Sequence, residues 1–316
     1  MKRSKFVLLL TLCGALFMGC TQAEQVVDKP SVETSGGGSG SEPVGVVDPV
    51  VLEPTADGVT VYSNDVATVD CSNMSDGYVM LKYTGTSAKV RMLIDTPKEN
   101  TYNYLVNLDG EYYVYPLSEG DGTYTIGVYE NIKDDKYAEV FSQSVEVTLT
   151  NEYSCFLYPN AYVNFNIGSK AVKKGAELAA GCANELEVVD NVYHYMAKNI
   201  DYDYDKAATV KSGYVPTVDE TLASGKGICF DYASLMATML RSQGIPCRLE
   251  IGYAGDQYHA WIGVYTKDQG WIDDIIVFDG TKWTLMDPTL ASYAPAKTIK
   301  SHWDDSDNYY QLKYKY

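Results

Sequence analysis

Gly225-Lys226-Gly227-Ile228-Cys229-Phe230-Asp231-Tyr232-Ala233 places a cysteine between a glycine-rich turn and the start of a strongly apolar segment. Phe230 to Gln243 contains neither glycine nor proline, and Gly244 followed by Pro246 supplies a stop. The pattern predicts a helix of about four turns with Cys229 at its N-terminal end. Ala233, Met236, Ala237 and Leu240 recur at helical spacing, and Leu235 and Met239 widen the apolar face. Such a helix should be central and buried. Its N-terminus carries partial positive charge and backbone N–H groups without intrahelical partners. The charge favours a thiolate and the N–H groups can hold an oxyanion. Gly227, with no side chain, is expected to leave room for a substrate carbonyl.

A nucleophilic cysteine also needs a base. Arg248-Leu249-Glu250-Ile251-Gly252-Tyr253 reads as a strand, and a turn at Gly255 leads to His259-Ala260-Trp261-Ile262-Gly263-Val264-Tyr265. Beyond the Gly270 turn and Trp271 comes Lys282-Trp283-Thr284-Leu285-Met286-Asp287-Pro288. As an antiparallel meander, these strands put His259 at the head of one and Asp287 at the tail of the next. The start of one antiparallel strand neighbours the end of its successor, so the two can meet. His259 is then the candidate base and Asp287 the acid that fixes its tautomer. Each has a plainer reading alone: a small buried thiol, a structural histidine, an Asp-Pro turn. Their order and local context raise the three together.

Between Lys170 and Ala180 the chain is alanine-rich and helical, and Asn184 with Glu187 forms a capping-box pair for a second helix. Leu186, Val189, Tyr193, Met196 and Ile200 give that helix one apolar stripe. His194 beside it reads as exposed or structural. Asp201-Tyr202-Asp203-Tyr204-Asp205 lacks the glycine and distant glutamate of a calcium loop and reads as a solvated helix exit. A short helix is expected from Thr217, with Glu220 three residues on, to Ser224-Gly225.

Residues 59–150 carry short alternating strands, among them Tyr78-Val79-Met80-Leu81-Lys82-Tyr83 and Val90-Arg91-Met92-Leu93-Ile94. Asp76-Gly77, Asp109-Gly110 and Asp121-Gly122 punctuate them, a pattern that suggests an all-β sandwich. Asp121-Gly122-Thr123-Tyr124-Thr125-Ile126 resembles strands of immunoglobulin-like modules in bacterial surface proteins. No reactive side chains gather here, so the region reads as a binding module or a spacer. Residues 20–58 form a linker built around Ser35-Gly36-Gly37-Gly38-Ser39-Gly40-Ser41.

Residues 1–19 read as a signal peptide, with Lys2, Arg3 and Lys5 ahead of an apolar run too short to span a membrane. Leu16-Phe17-Met18-Gly19-Cys20 resembles a bacterial lipoprotein signal, which implies lipidation of Cys20 and a membrane anchor; ordinary secretion is the alternative. The formal charge of −17 argues against nucleic acid as a partner. Among the 7 cysteines, Cys71, Cys155, Cys182 and Cys247 could pair in three ways or not at all. No Cys/His spacing suits a metal, and no cofactor is expected.

The nucleophile run, Gly244-Ile245-Pro246-Cys247-Arg248, His259-Ala260-Trp261 and Trp283-Thr284-Leu285-Met286-Asp287-Pro288-Thr289 resemble, in order, the motifs of bacterial transglutaminase-like proteins. The resemblance covers residues 185–292. It implies an α+β, papain-like domain over residues 151–316, its nucleophile helix packed on an antiparallel sheet. Cys229, His259 and Asp287 match the triad positions. The implied activity is cysteine-dependent acyl transfer on a protein or peptide amide at the cell envelope, through a thioester. Transfer to water, as in a protease or amidase, stays open, as does a non-catalytic binding protein. Tyr202 or Tyr204 could assist the backbone N–H of Cys229 in holding the oxyanion. Animal transglutaminases have Gln-Cys-Trp where this chain has Ile228-Cys229-Phe230, and they use calcium.

Overall fold

The computed structural model describes residues 48–254, 257–272, 276–278, 283–285 and 310–316. Its first half is built of strands, with one 3-10 turn at Met74–Asp76. β1 (Val61–Ser63), β2 (Ala67–Asp70), β3 (Tyr78–Tyr83), β4 (Val90–Asp95), β5 (Thr101–Leu105) and β6 (Tyr112–Pro116) precede two long strands, β7 (Gly122–Lys133) and β8 (Lys136–Val147). They form two antiparallel four-stranded sheets, ordered β1-β2-β3-β6 and β5-β4-β7-β8. The period-two pattern decides which face is buried. In β5, Tyr102 and Tyr104 are buried while Thr101, Asn103 and Leu105 are exposed. In β4, Val90, Met92 and Ile94 point into the same core. Gly77 is required by contact and by conformation: its φ is +87°, and a Cβ there would lie 2.6 Å from Cys155 Cβ.

Helices dominate the second half. α1 (Lys170–Ala179) and α2 (Glu185–Asn199) are joined by a tight turn. Asn184 caps α2 as its spacing predicts, its Oδ1 accepting from the Glu187 N–H at 3.0 Å. β9 (Asp201–Tyr202), α3 (Tyr204–Thr209), α4 (Val218–Ser224) and β10 (Lys226–Gly227) lead into α5 (Cys229–Arg241). β9 and β10 pair in parallel, Tyr202 opposite Gly227. Gly225, at φ +63°, ends α4 in the left-handed conformation. In α5 every residue from Asp231 to Arg241 is buried. The helix lies against β11 (Cys247–Ala254) and β12 (Gln257–Thr266).

That sheet differs from the expected meander. Its order is β13-β12-β11-β16, with β13 (Gly270–Ile272) beside the His259 strand and β16 (Tyr310–Lys315) beside β11. The turn at residues 267–269 is tight enough for β13 to pair with β12 at once, Tyr265 opposite Trp271. The backbone of β14 (Ile276–Phe278) pairs instead with β15 (Trp283–Leu285) in a separate two-stranded ladder. The C-terminal strand fills the other edge. Gly252, where β16 shifts register, has no room for a side chain: a Cβ would meet Gln311 O at 2.0 Å.

The described residues form one compact unit, and tyrosine rings close the join between the strand-rich and helical halves. Tyr316 meets Tyr102, Tyr104 and Tyr162 edge-on at 5.3, 5.7 and 4.6 Å. This arrangement buries apolar ring area and leaves each hydroxyl a partner to find. Arg241, at the end of α5, is 1% exposed and sits at the same place. Its Nε donates to Cys247 O at 2.9 Å, Nη1 to Tyr158 O at 2.7 Å and Nη2 to Tyr316 O at 2.6 Å. Burial lowers its pKa to about 10. One guanidinium therefore serves backbone oxygens of three separate segments. Arg241→Met should cost about 3 kcal/mol or more, because the Cys247 and Tyr158 carbonyls would lose this donor and Tyr316 O would keep only the Leu249 N–H. A lowered urea midpoint at unchanged slope is the expected measurement.

Candidate functional site

Cys229 is the first residue of α5 and is half-buried. Ile228 holds the cap position but has no polar side chain to serve the helix end. Asp231 reaches back instead: its Oδ2 accepts the Ile228 N–H at 2.8 Å. The first intrahelical bond runs from Tyr232 N to Ile228 O at 3.0 Å, so the N–H groups of Cys229, Phe230 and Asp231 lie ahead of the ladder.

The Asp231 carboxylate is fully buried, and a burial so complete needs compensation. Lys206 Nζ lies 2.7 Å from Oδ2, and the Tyr214 hydroxyl donates to Oδ1. Lys206 also donates to the Tyr214 hydroxyl oxygen at 2.6 Å and sits 4.4 Å over its ring. Burial first, then the Asp231 hydrogen bond and charge, push the Tyr214 phenol up. Lys206 is itself placed by Asp203, which caps α3 by accepting the Lys206 N–H at 2.8 Å. The alternating acids of residues 201–205 thus include a helix cap. Gly227 serves this network. A Cβ on it would fall 2.7 Å from Asp231 Cβ, so the space expected for a substrate carbonyl is occupied by the Asp231 side chain.

Cys229 and His259 line one cleft of about 1250 Å³. His259 is half-buried on β12, opposite Gly252, with its ring stacked 6.3 Å from that of Trp261. Tyr202 lines the cleft as well, whereas Tyr204 is 65% exposed and absent from its wall. The segment Val210–Thr217 forms one side, and Gly213 approaches so closely that a Cβ would stand 3.2 Å from Leu105 of β5. Arg91 and Asn103 from the strand-rich half, and Tyr314 and Tyr316 from the C-terminus, complete it. None of these last four was singled out from the sequence. Asp287 and Cys20 lie outside the described residues.

The other described cysteines are free and buried. Burial pushes the thiols of Cys71, Cys155 and Cys247 up to about 12, and raises Cys182 as well. His194 is exposed and pairs with Asp190 at 3.2 Å, away from the cleft lining. Among the described residues no cluster of His, Cys, Asp or Glu is placed to hold a metal ion, and no helix is long and apolar enough to cross a membrane.

Residues 173–273 match the family model of the transglutaminase-like superfamily, so the chain carries a domain of that superfamily in a mixed helix-and-sheet fold with antiparallel sheets. It is 25% identical over 236 residues to the UPF0252 protein MJ1282 of Methanocaldococcus jannaschii, covering 68% of this chain and 66% of that one. It is 26% identical over 222 residues to the uncharacterized protein YebA of Bacillus subtilis, covering 61% of this chain and 27% of the other. The chain therefore spans just under two thirds of the first relative and about a quarter of the second. Among solved structures, it is similar to a proposed cysteine protease of Cytophaga hutchinsonii, with TM-score 0.35, 14% identity, and 75% and 76% of the two chains covered. Red sea bream transglutaminase gives TM-score 0.26 and 12% identity over 69% of this chain and 48% of that one.

The Asp231 network has a measurable consequence. Lys206→Met leaves a buried carboxylate without its cation and should cost ~2–4 kcal/mol in chemical denaturation. Adding Asp231→Asn removes the stranded charge and should recover part of that loss, a non-additivity that a double-mutant cycle reads directly.

Proposed function

We propose that this is an exported, envelope-anchored cysteine acyltransferase that acts on protein or peptide amides through a thioester. The observation that carries this reading is the sharing of one cleft by Cys229, at the start of a buried helix, and His259. In the proposed reaction His259 takes the thiol proton while Sγ attacks the amide carbonyl carbon. The oxyanion forms at the N-terminus of α5, where the Cys229 N–H is available, with Tyr202 as the side chain of the cleft wall nearest in role. Collapse breaks the C–N bond, and His259 returns its proton to the leaving nitrogen. An acceptor amine then attacks the thioester carbon, gives its proton to His259 and releases the sulfur. Asp287 holds the imidazole in the tautomer that accepts from the thiol. Export and lipidation at Cys20 rest on the basic, apolar and Gly-Cys pattern of residues 2–20.

Water as the second acceptor would make the same site a protease or amidase. The breadth of the cleft, about 1250 Å³, favours a polypeptide substrate in either case. Offering a glutamine peptide together with a fluorescent amine separates the two. Amine incorporation supports the acyltransferase, and ammonia or peptide release without incorporation replaces it with the hydrolase.

A thiol-reactive probe near pH 6 tests the pair itself. Cys229 should be labelled at least about tenfold faster in the wild type than in His259→Ala or Asp287→Ala. Equal rates would reduce the protein to a binding module on an inherited fold. The buried Cys71, Cys155 and Cys247 serve as internal references in the same spectrum.

A further inference from the structure

The cleft that holds Cys229 and His259 is walled on one side by the strand-rich half of the chain, and the charge there runs against that of the whole molecule. The protein carries a formal charge of −17. Among the described residues, the fixed charges lining the cleft are Arg91, Lys211 and Asp219. Asp219 is already engaged, accepting the Lys170 and Ala171 N–H groups at 3.0 and 2.9 Å where α1 begins. The two cations are not neutralised in this way, and neither has an ion pair among the described residues.

Arg91 is the more organised of the two. It is half-buried on β4, its Nη1 donates to Asn103 Oδ1 at 2.8 Å and its Nε to the Tyr137 hydroxyl at 3.2 Å. Its guanidinium also lies 5.6 Å from the Tyr137 ring centroid. These partners are neutral, so they orient the fork without satisfying its charge. A guanidinium held this way matches a carboxylate in geometry as well as sign. It is also linked to the nucleophile end of the cleft. Burial pushes the Tyr162 phenol up to about 12 against the opposing charge of Arg91, and the Tyr162 ring lies 5.4 Å from that of Phe230, the neighbour of Cys229.

We propose that the strand-rich half is the substrate-selecting wall of the site, and that Arg91 reads a carboxylate on the acyl-donor peptide while the amide reaches Cys229. This assignment rests on the proposed acyl chemistry for its meaning, and it makes the preferred donor an acidic peptide. The first eight strands are then part of the binding site and more than a spacer.

The test uses alkylation, which needs only an accessible thiol at Cys229 and so stands apart from any assay of turnover. Full-length protein is treated with N-iodoacetyl peptides of one to four alanines ending in amidated Glu or Gln, and modification of Cys229 is followed by mass spectrometry. At one spacing the Glu probe should react about three- to tenfold faster than its Gln twin, the effect of one unit charge brought beside another at a protein surface. Arg91→Gln should bring that ratio to about one, and iodoacetamide should label Cys229 in that variant at the wild-type rate. A ratio near one at every spacing overturns the proposal. So does a preference that survives Arg91→Gln, or one that vanishes only in Lys211→Gln. A His259→Ala result that defeats the catalytic reading leaves this ratio measurable, so the two failures can be told apart.

Discussion

A buried carboxylate two residues on from the cysteine sets the terms for the rest of the site. Asp231 has no contact with solvent, and its two oxygens are met by a lysine ammonium, a phenol and a backbone N–H. Those donors come from α3, from the segment that walls the cleft and from the helix cap. Leaving out any of them costs part of the compensation of a buried charge, so the carboxylate ties the three segments to one another. That is how the first turn of α5 keeps its place without a polar cap residue, and why glycine stands at position 227. Cys229 is carried on this clamp rather than on a loop of its own.

At its far end the same helix is held by Arg241, which draws together the segment at Tyr158, the start of β11 and the last residue of the chain. Between the two polar anchors α5 packs mainly through apolar side chains on the sheet and on α1 and α2. The tyrosines explain a composition that is unusual for its number of phenols. Four of them interlock where strands and helices meet, and others line the cleft from both halves. The strand-rich half is therefore continuous with the core of the helical half and contributes surface to the site.

Much of this was legible in the chain. The stop at Gly244 and Pro246 and the apolar spacing from Ala233 to Leu240 define α5, and Asn184 with Glu187 defines the start of α2. Local periodicity encodes such elements, so it can be read locally. Asp231 was hidden for the opposite reason: its partner Lys206 lies on another helix, and nothing in the spacing of the two announces an ion pair. The substrate-sized gap read into Gly227 failed on the same point, since the side chain that fills it belongs to a neighbour in space. The C-terminal strand carried a signal that went unused, because Tyr310, Leu312, Tyr314 and Tyr316 alternate with polar residues. The third strand of the meander was misplaced because a tight turn before Gly270 lets Trp271 pair immediately. Arg91 gave no sign at all, since only the fold brings β4 to the cleft.

The most direct measurement is the mass of the acyl-enzyme. A glutamine peptide offered to the protein and quenched in acid should leave the peptide acyl group on Cys229, with one ammonia lost per adduct. The adduct should disappear in His259→Ala and be discharged by hydroxylamine, as a thioester is. If Cys229 stays unmodified across acidic, neutral and amide-rich peptides while the folded protein remains intact, the cleft binds its ligand without attacking it.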